Sequence, residues 1–182
     1  MSTNNRVQLL LDKDEIRDRI YSFCRGVDRR DWNLVRSAYH ADGIDDHGPY
    51  NGDVDGMIAW MTERHATVKS SMHHIGNVLV EVDGDVAYAE SYYLAYQRID
   101  GSSSLSFAMF PGTEHDGSDV NMRAQGRYID RFERRSAGGP WKIAHRTVVA
   151  DAAQFEPTTH DMPIDVGWNS ARRDRTDAVY NR

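Results

Sequence analysis

The sequence predicts an α+β fold, a cone-shaped barrel in which N-terminal helices pack against a curved antiparallel sheet and enclose a pocket. Three observations predict it. Apolar residues recur at helical spacing early in the chain, at Ile16, Ile20, Cys24 and Val27 and again at Ile58, Met61 and His65. From Met72 onward the period changes to two, in long runs separated by turn signals at Asp83-Gly84, Asp100-Gly101 and Ala137-Gly138-Gly139-Pro140. At 182 residues, 40% of them hydrophobic, the chain has room for one core and not for two ordinary ones.

Asp12 with Glu15 three residues on reads as a capping box, which starts a first helix at about Lys13 and runs it to Arg29. Asp28 falls in its last turn, beside the apolar stripe, where the helix dipole disfavours a carboxylate. It is either an exposed end residue next to Arg29 and Arg30 or a group with a partner elsewhere. Asp31 caps a short second helix from Trp32 to about Tyr39, and Asp42-Gly43 ends it. Ile44 to Tyr50 is an extended piece that reaches the turn signal Asn51-Gly52, and Asp53 or Asp55 opens a third helix. His40, Asp42, Asp45, Asp46 and His47 are metal-ligating types, but their spacing fits neither a helical i, i+4 pair nor a zinc or calcium loop, so no metal is expected.

The first strand runs from Met72 to Val82 and opens on Ser71-Met72-His73-His74-Ile75-Gly76. Successive strand side chains point to opposite faces, so only one of the two imidazoles faces the interior and the pair is no chelate. An imidazole there suits proton transfer, because its pKa lies nearest neutrality. A rim histidine with a satisfied hydrogen bond is the alternative. On the second strand, Asp85 to Ile99, Val86, Tyr88, Tyr92, Leu94 and Tyr96 share one face, read as core or pocket wall, with Ser91 and Gln97 opposite. Leu105 to Phe110 precedes a polar loop over 111–119, long enough to be mobile or functional. Val120 to Glu133 places Met122, Ala124, Gly126, Tyr128 and Phe132 together, and Trp141 to Ala150 is the last strand. Residues 1–155 make up the domain and 156–182 a C-terminal segment. Phe155, Pro157, Met162, Pro163, Ile164, Val166 and Trp168 are expected to lay that region across the body, with the charged end from Asn169 frayed.

A net charge of -6 without a long basic block argues against nucleic acid as a partner. One cysteine, Cys24, excludes an intramolecular disulfide and a cysteine-rich metal site. No signal-like start and no apolar run of membrane-spanning length is visible, so a cytoplasmic protein without a membrane partner is expected.

The succession Gly26-Val27-Asp28, Met72-His73-His74-Ile75-Gly76, Tyr128-Ile129-Asp130-Arg131-Phe132-Glu133-Arg134 and Trp141-Lys142-Ile143 resembles the SnoaL-like branch of the nuclear transport factor 2-like superfamily. The resemblance spans about Lys13 to Asp151, with scytalone dehydratases, bile-acid 7α-dehydratases and hexachlorocyclohexane dehydrochlorinases nearest in pattern. It implies a cofactor-free lyase in which Asp28 orients His73 and His73 moves the proton. Where relatives carry Tyr or Lys one turn before the aspartate, this chain has Phe23, which donates no proton. An assisting acid would then come from Tyr96 or Tyr128. Arg146 matches an active-site arginine of the dehydrochlorinase and reads equally as a surface ion pair with Glu133 or Glu90. If it points inward, His145 points away. Phe23, Tyr96, Tyr128 and Arg146 are thus the expected substrate contacts.

The implied substrate is a cyclic, largely apolar small molecule, bound without cofactor. A ketosteroid-type isomerase and a non-catalytic binding domain are the alternatives. Dehydratase-type relatives are trimers, and Ile75, Leu79, Ile129 and Val148 interrupt the clean alternation a free outer face would show. A homo-oligomer, a trimer before a dimer, is expected.

Overall fold

A computed structural model describes residues 2–110, 116–158 and 167–181. In chain order the elements are α1 (Thr3–Arg29), α2 (Trp32–Ser37), β1 (Tyr39–Asp46), β2 (Asn51–Asp53), α3 (Val54–His65), β3 (Val68–Asp83), β4 (Val86–Ile99), α4 (Ser104–Ala108), β5 (Val120–Glu133) and β6 (Lys142–Pro157), with a turn of 3-10 helix at Ala178–Tyr180. The strands form one curved, unclosed sheet in the order β2-β1-β6-β5-β4-β3, antiparallel except for the β1–β6 pair. The α+β cone expected from the sequence is the fold observed. Among the described residues no helix is long and apolar enough to cross a membrane.

α1 begins well before the predicted start. Ser2 caps it by accepting from the Asn5 N–H, and Asp12 is buried inside the helix. Asp12 accepts instead from Trp141 Nε1 at 3.1 Å, Arg134 at 2.9 Å and Gln8 at 3.0 Å, while Glu15 accepts from the Trp141 N–H. An acidic residue suits a cap or a tertiary donor equally well, and here the indole and guanidinium of the strand hairpin took it. The other caps follow the sequence: Asp31 accepts from the Leu34 N–H and Asp53 from the Gly56 N–H. A Cβ at Gly26 would stand 2.9 Å from the Val35 backbone N, so only glycine lets α1 and α2 approach this closely. The β3–β4 hairpin turns at Gly84 with φ +59°.

Ile16, Ile20, Phe23 and Val27 of α1 and Val54, Met57 and Met61 of α3 pack on Tyr128, Phe132, Trp141 and Ile143 of the sheet. In β3 the pairing register shifts between Ile75 and Val78. One extra residue there lets His73 and Ile75 share the inner face with Val78, Val80 and Val82, which strict alternation forbids. Ile75 therefore packs inward; Val148 packs inward too, on the same face of β6 as Arg146, while Leu79 and Ile129 face out.

Two expectations fail on β4 and at the C-terminus. On β4 the inner face is Ala87, Ala89, Ser91, Tyr93, Ala95, Gln97 and Ile99, and Tyr88, Tyr92, Leu94 and Tyr96 lie outside. Bulk does not settle the face where a sheet wraps a cavity, because small inner residues leave the space. The end from Asn169 does not fray throughout: Arg173 is buried and donates to the carbonyls of Val27, Asp28 and Val68. Helix C-terminal carbonyls lack intrahelical donors, and a guanidinium suits them in both hydrogen bonding and charge. Asp177 is buried too, and Tyr180 reaches Asp31. Phe155 packs on Phe110, and Trp168 is exposed. Met162, Pro163, Ile164, Val166 and residues 111–115 of the predicted loop lie outside the described residues.

Candidate active site

Between α1, α3 and the inner face of the sheet lies a cavity of about 450 Å³. That is the size of an ordinary small-molecule site. Phe23, Trp60, Met61, Met122 and Tyr128 make its wall largely apolar, and His73, His47, Arg64 and Gln97 bring polar groups to it.

His73 and Asp28 meet at this wall. His73 Nδ1 lies 2.7 Å from Asp28 Oδ1, the His73 N–H donates to Oδ2 at 2.8 Å, and the Ser71 hydroxyl donates to Oδ1 at 2.7 Å. Burial pushes the Asp28 pKa up, but the bonds and charge of His73, with the Ser71 bond, outweigh it and hold the carboxyl below its ordinary range. An ionised Asp28 accepts from Nδ1–H, which leaves the Nε2 lone pair as the basic atom of a cavity-lining ring. The objection that the helix dipole disfavours Asp28 is met by Arg173, whose Nε donates to the Asp28 carbonyl at 3.0 Å.

A second histidine–aspartate pair stands at the same cavity. Asp45, fully buried at the end of β1, accepts from the Tyr39 hydroxyl at 2.5 Å and lies 2.9 Å from His47 Nδ1. Burial raises the Asp45 pKa, and His47, Arg146 and the Tyr39 bond together bring it below the usual value. His47 lines the cavity with its ring 5.5 Å from Trp60. Sequence reasoning weighed these residues only as metal ligands. The missed signal is their i, i+2 spacing in extended chain, Asp45 in β1 and His47 just past its end, which puts both on one face. The rest of that cluster points elsewhere: His40 Nε2 contacts the Glu133 carbonyl at 3.0 Å, and Asp42 pairs with Arg135.

Of the expected substrate contacts, Phe23 and Tyr128 line the cavity, Tyr128 stacked 4.7 Å from Tyr93. Tyr96 does not; it lies on the outer face of β4, 39% exposed. Arg146 points inward and His145 outward, as the strand period requires, yet Arg146 stops behind the wall. Its partner is Asp130, through Nε at 2.6 Å and Nη2 at 2.7 Å, and not Glu133 or Glu90. The guanidinium carbon lies 4.2 Å from the ring centres of both Phe23 and Tyr128. Burial opposes its charge, and Asp130 outweighs burial and holds the Arg146 pKa well above the ordinary one. Arg146 thus braces two wall aromatics from behind. Burial also pushes the Cys24 thiol up to about 12, so it stays protonated. Arg64, which the sequence analysis did not single out, is buried and lines the cavity.

Comparison with known proteins agrees with this construction. Residues 8–147 match the model of the SnoaL-like domain. No curated protein matches the chain. Among solved structures, the hexachlorocyclohexane dehydrochlorinase LinA-type3 from Novosphingobium barchaimii is similar at TM-score 0.68 and 16% identity, over 88% of this chain and 99% of that one. A candidate scytalone dehydratase from Novosphingobium aromaticivorans is similar at TM-score 0.63 and 16% identity, over 85% and 91%. A nuclear transport factor 2-like superfamily protein from Salmonella enterica is similar at TM-score 0.63 and 14% identity, over 79% and 94%. With a family match across most of its length and neighbours of the same fold, the chain belongs to the SnoaL-like domain family.

Proposed function

We propose that the protein is a cofactor-independent lyase that removes water from a cyclic, largely apolar small molecule. The observation that carries this reading is the 2.7 Å contact of His73 Nδ1 with Asp28 at the cavity wall. His73 Nε2 takes a proton from a carbon next to an activating group. The C–H electrons become the new double bond as the neighbouring C–O bond breaks, and the departing hydroxide leaves as water once protonated. Phe23 donates no proton, and Tyr96 is on the wrong face. His47, steadied by Asp45, is the acid that protonates the leaving oxygen. It enters just past the end of β1, near one side of the sheet, and His73 from β3 at the opposite edge, so the two flank a bound ring.

Names among the structural neighbours, a dehydrochlorinase and a candidate scytalone dehydratase, belong to eliminating enzymes and support this class. A ketosteroid-type isomerase relies on a carboxylate base, whereas Asp28 and Asp45 here are turned to their histidines and the carboxylate that lines the cavity, Asp151, is exposed. A pure binding domain has no need of either pair. Incubating the protein with a panel of hydroxylated polycyclic compounds and following loss of water by mass spectrometry tests the reading. An isomer of unchanged mass, or binding without turnover across the panel, would replace it with one of those alternatives. We also propose that the chain forms a homotrimer through the outer sheet face, where Met72, Leu79, Tyr88, Tyr92, Leu94 and Tyr96 stand exposed in the single chain.

A further inference from the structure

Arg64 ends α3 with its side chain inside the protein, 6% exposed and lining the cavity. A buried guanidinium ordinarily has a carboxylate beside it. Arg64 has none among the described residues. Its Nη2 donates to the Gln97 side-chain oxygen at 2.7 Å, its Nη1 lies 2.9 Å from His65 Nε2, and its Nε is buried without a partner. The imidazole is a contested acceptor. Burial and the neighbouring arginines keep His65 neutral, so one ring nitrogen carries the proton and only the other accepts. Arg173 Nη2 meets the opposite nitrogen, Nδ1, at 2.7 Å. Two guanidinium groups therefore face one lone pair. Arg173 has three backbone carbonyls besides, while Arg64 has one amide oxygen. Burial alone draws the Arg64 pKa down to about 10, with no acidic neighbour opposing it.

We propose that Arg64 is the anion-recognition residue of the cavity and that the molecule bound there carries a carboxylate. The inference rests on reading the cavity as a substrate site, and it adds the substrate's charge. Placement supports it. Across the β3–β4 ladder Gln97 pairs with Ser71 and Ala95 with His73, so the group Arg64 touches lies two residues along the strand from the base. That spacing is about 7 Å, the width of one ring. A substrate carboxylate held at Arg64 therefore sets the acidic C–H of an adjoining ring beneath His73. Most of the remaining lining is apolar, with His47, His65 and Asp151 as its other ionisable groups.

The test uses 2-naphthoate and its neutral analogue 2-naphthamide, titrated calorimetrically against the full chain. The unaltered protein should bind naphthoate at least about tenfold tighter, since hydrogen bonds to a charged group outweigh neutral ones. Arg64→Met should bring the two ligands level while leaving Tm unchanged or higher, because it removes a buried charge that has no carboxylate beside it among the described residues. Arg64→Lys should keep part of the preference, and His73→Ala should keep all of it. Equal affinities in the unaltered protein, no binding of either ligand, or a preference surviving in Arg64→Met would overturn the proposal. A sharp fall in Tm for Arg64→Met would also overturn it, by showing that the charge serves a carboxylate of the chain itself. Naphthoate preference in a protein whose turnover is untouched by His73→Ala would keep the Arg64 site and remove the dyad.

Discussion

The two faces of the sheet each depart in part from the ordinary distribution of side chains. An antiparallel sheet with one free face usually turns apolar groups in and polar groups out. Here the concave face carries His73, Gln97, Asp130 and Arg146 among small residues such as Ala87, Ala89 and Ala95, whereas the convex face exposes Leu79 at 61% and Tyr88 at 55%. On the concave side the polar groups are tied to buried partners, Asp28 to His73 and Asp130 to Arg146, and the small residues leave the volume that a ligand fills. On the convex side nothing within the described residues covers the bulky groups. The inner face holds the cavity and its polar pairs, and the outer face stands exposed in the single chain.

The largest effect should come from the deepest inner pair. Asp130→Ala leaves Arg146 charged and alone in the core, which should cost about 3–5 kcal/mol in urea unfolding. A cost near that of a surface substitution would show that the inner polar groups are not held as pairs. Next, His73→Ala and Asp28→Asn should each lower turnover by at least ~10²-fold with the fold intact, and the double variant should lose little more, because the two act as one unit. Full activity in His73→Ala would remove the central role given to the concave face. His47→Ala should cost about 10- to 10²-fold with a hydroxyl leaving group and far less with a halide, which departs without a proton. An equal loss with both would make His47 a positioning residue rather than the acid.

A smaller effect concerns acid stability. The folded-state pKa of Asp28 is lowered, so its contribution is fully present above the unfolded value of about 3.9 and is lost as pH falls through the folded one. Asp28→Asn should therefore flatten the fall in stability below about pH 4, read from urea midpoints as pH is lowered. An unchanged slope would mean that Asp28 gains nothing from its three donors. The smallest effect on the chemistry should come from the outer face. Leu94→Arg should separate the trimer into monomers by light scattering with the cavity unaltered. A stable monomer of the unaltered chain at micromolar concentration would sink the trimer and leave the convex face to be explained another way.

Much of the fold is written locally. The change of period at the start of β3, the Asp83-Gly84 hairpin and the Asp31 and Asp53 caps follow from residues close in the chain, and the structure has each of them. The same locality makes the reading blind where two partners compete for one group. Asp12 looks like a cap until Trp141 and Arg134 arrive from the far end of the chain, and the end beyond Asn169 looks frayed until Arg173 meets the open carbonyls of α1. β4 offers two faces of nearly equal apolar character, and the curvature of the sheet decides which is inside.

By itself the sequence determined the three N-terminal helices and the long strands that follow them, the inward turn of one histidine of two, and the motif that ties the chain to its family. These rest on period, turn chemistry and residue types within a few positions of one another. Only the tertiary structure decided that Asp28 reaches His73, that Asp45 and His47 make a second pair, and that Arg146 stands behind the wall while Arg64 reaches the cavity with no carboxylate beside it among the described residues. Arg64 and Arg146 differ in nothing the local sequence displays. What separates them is a carboxylate on the neighbouring strand, Asp130 beside Arg146, and a buried charge takes its meaning from the partner it has or lacks.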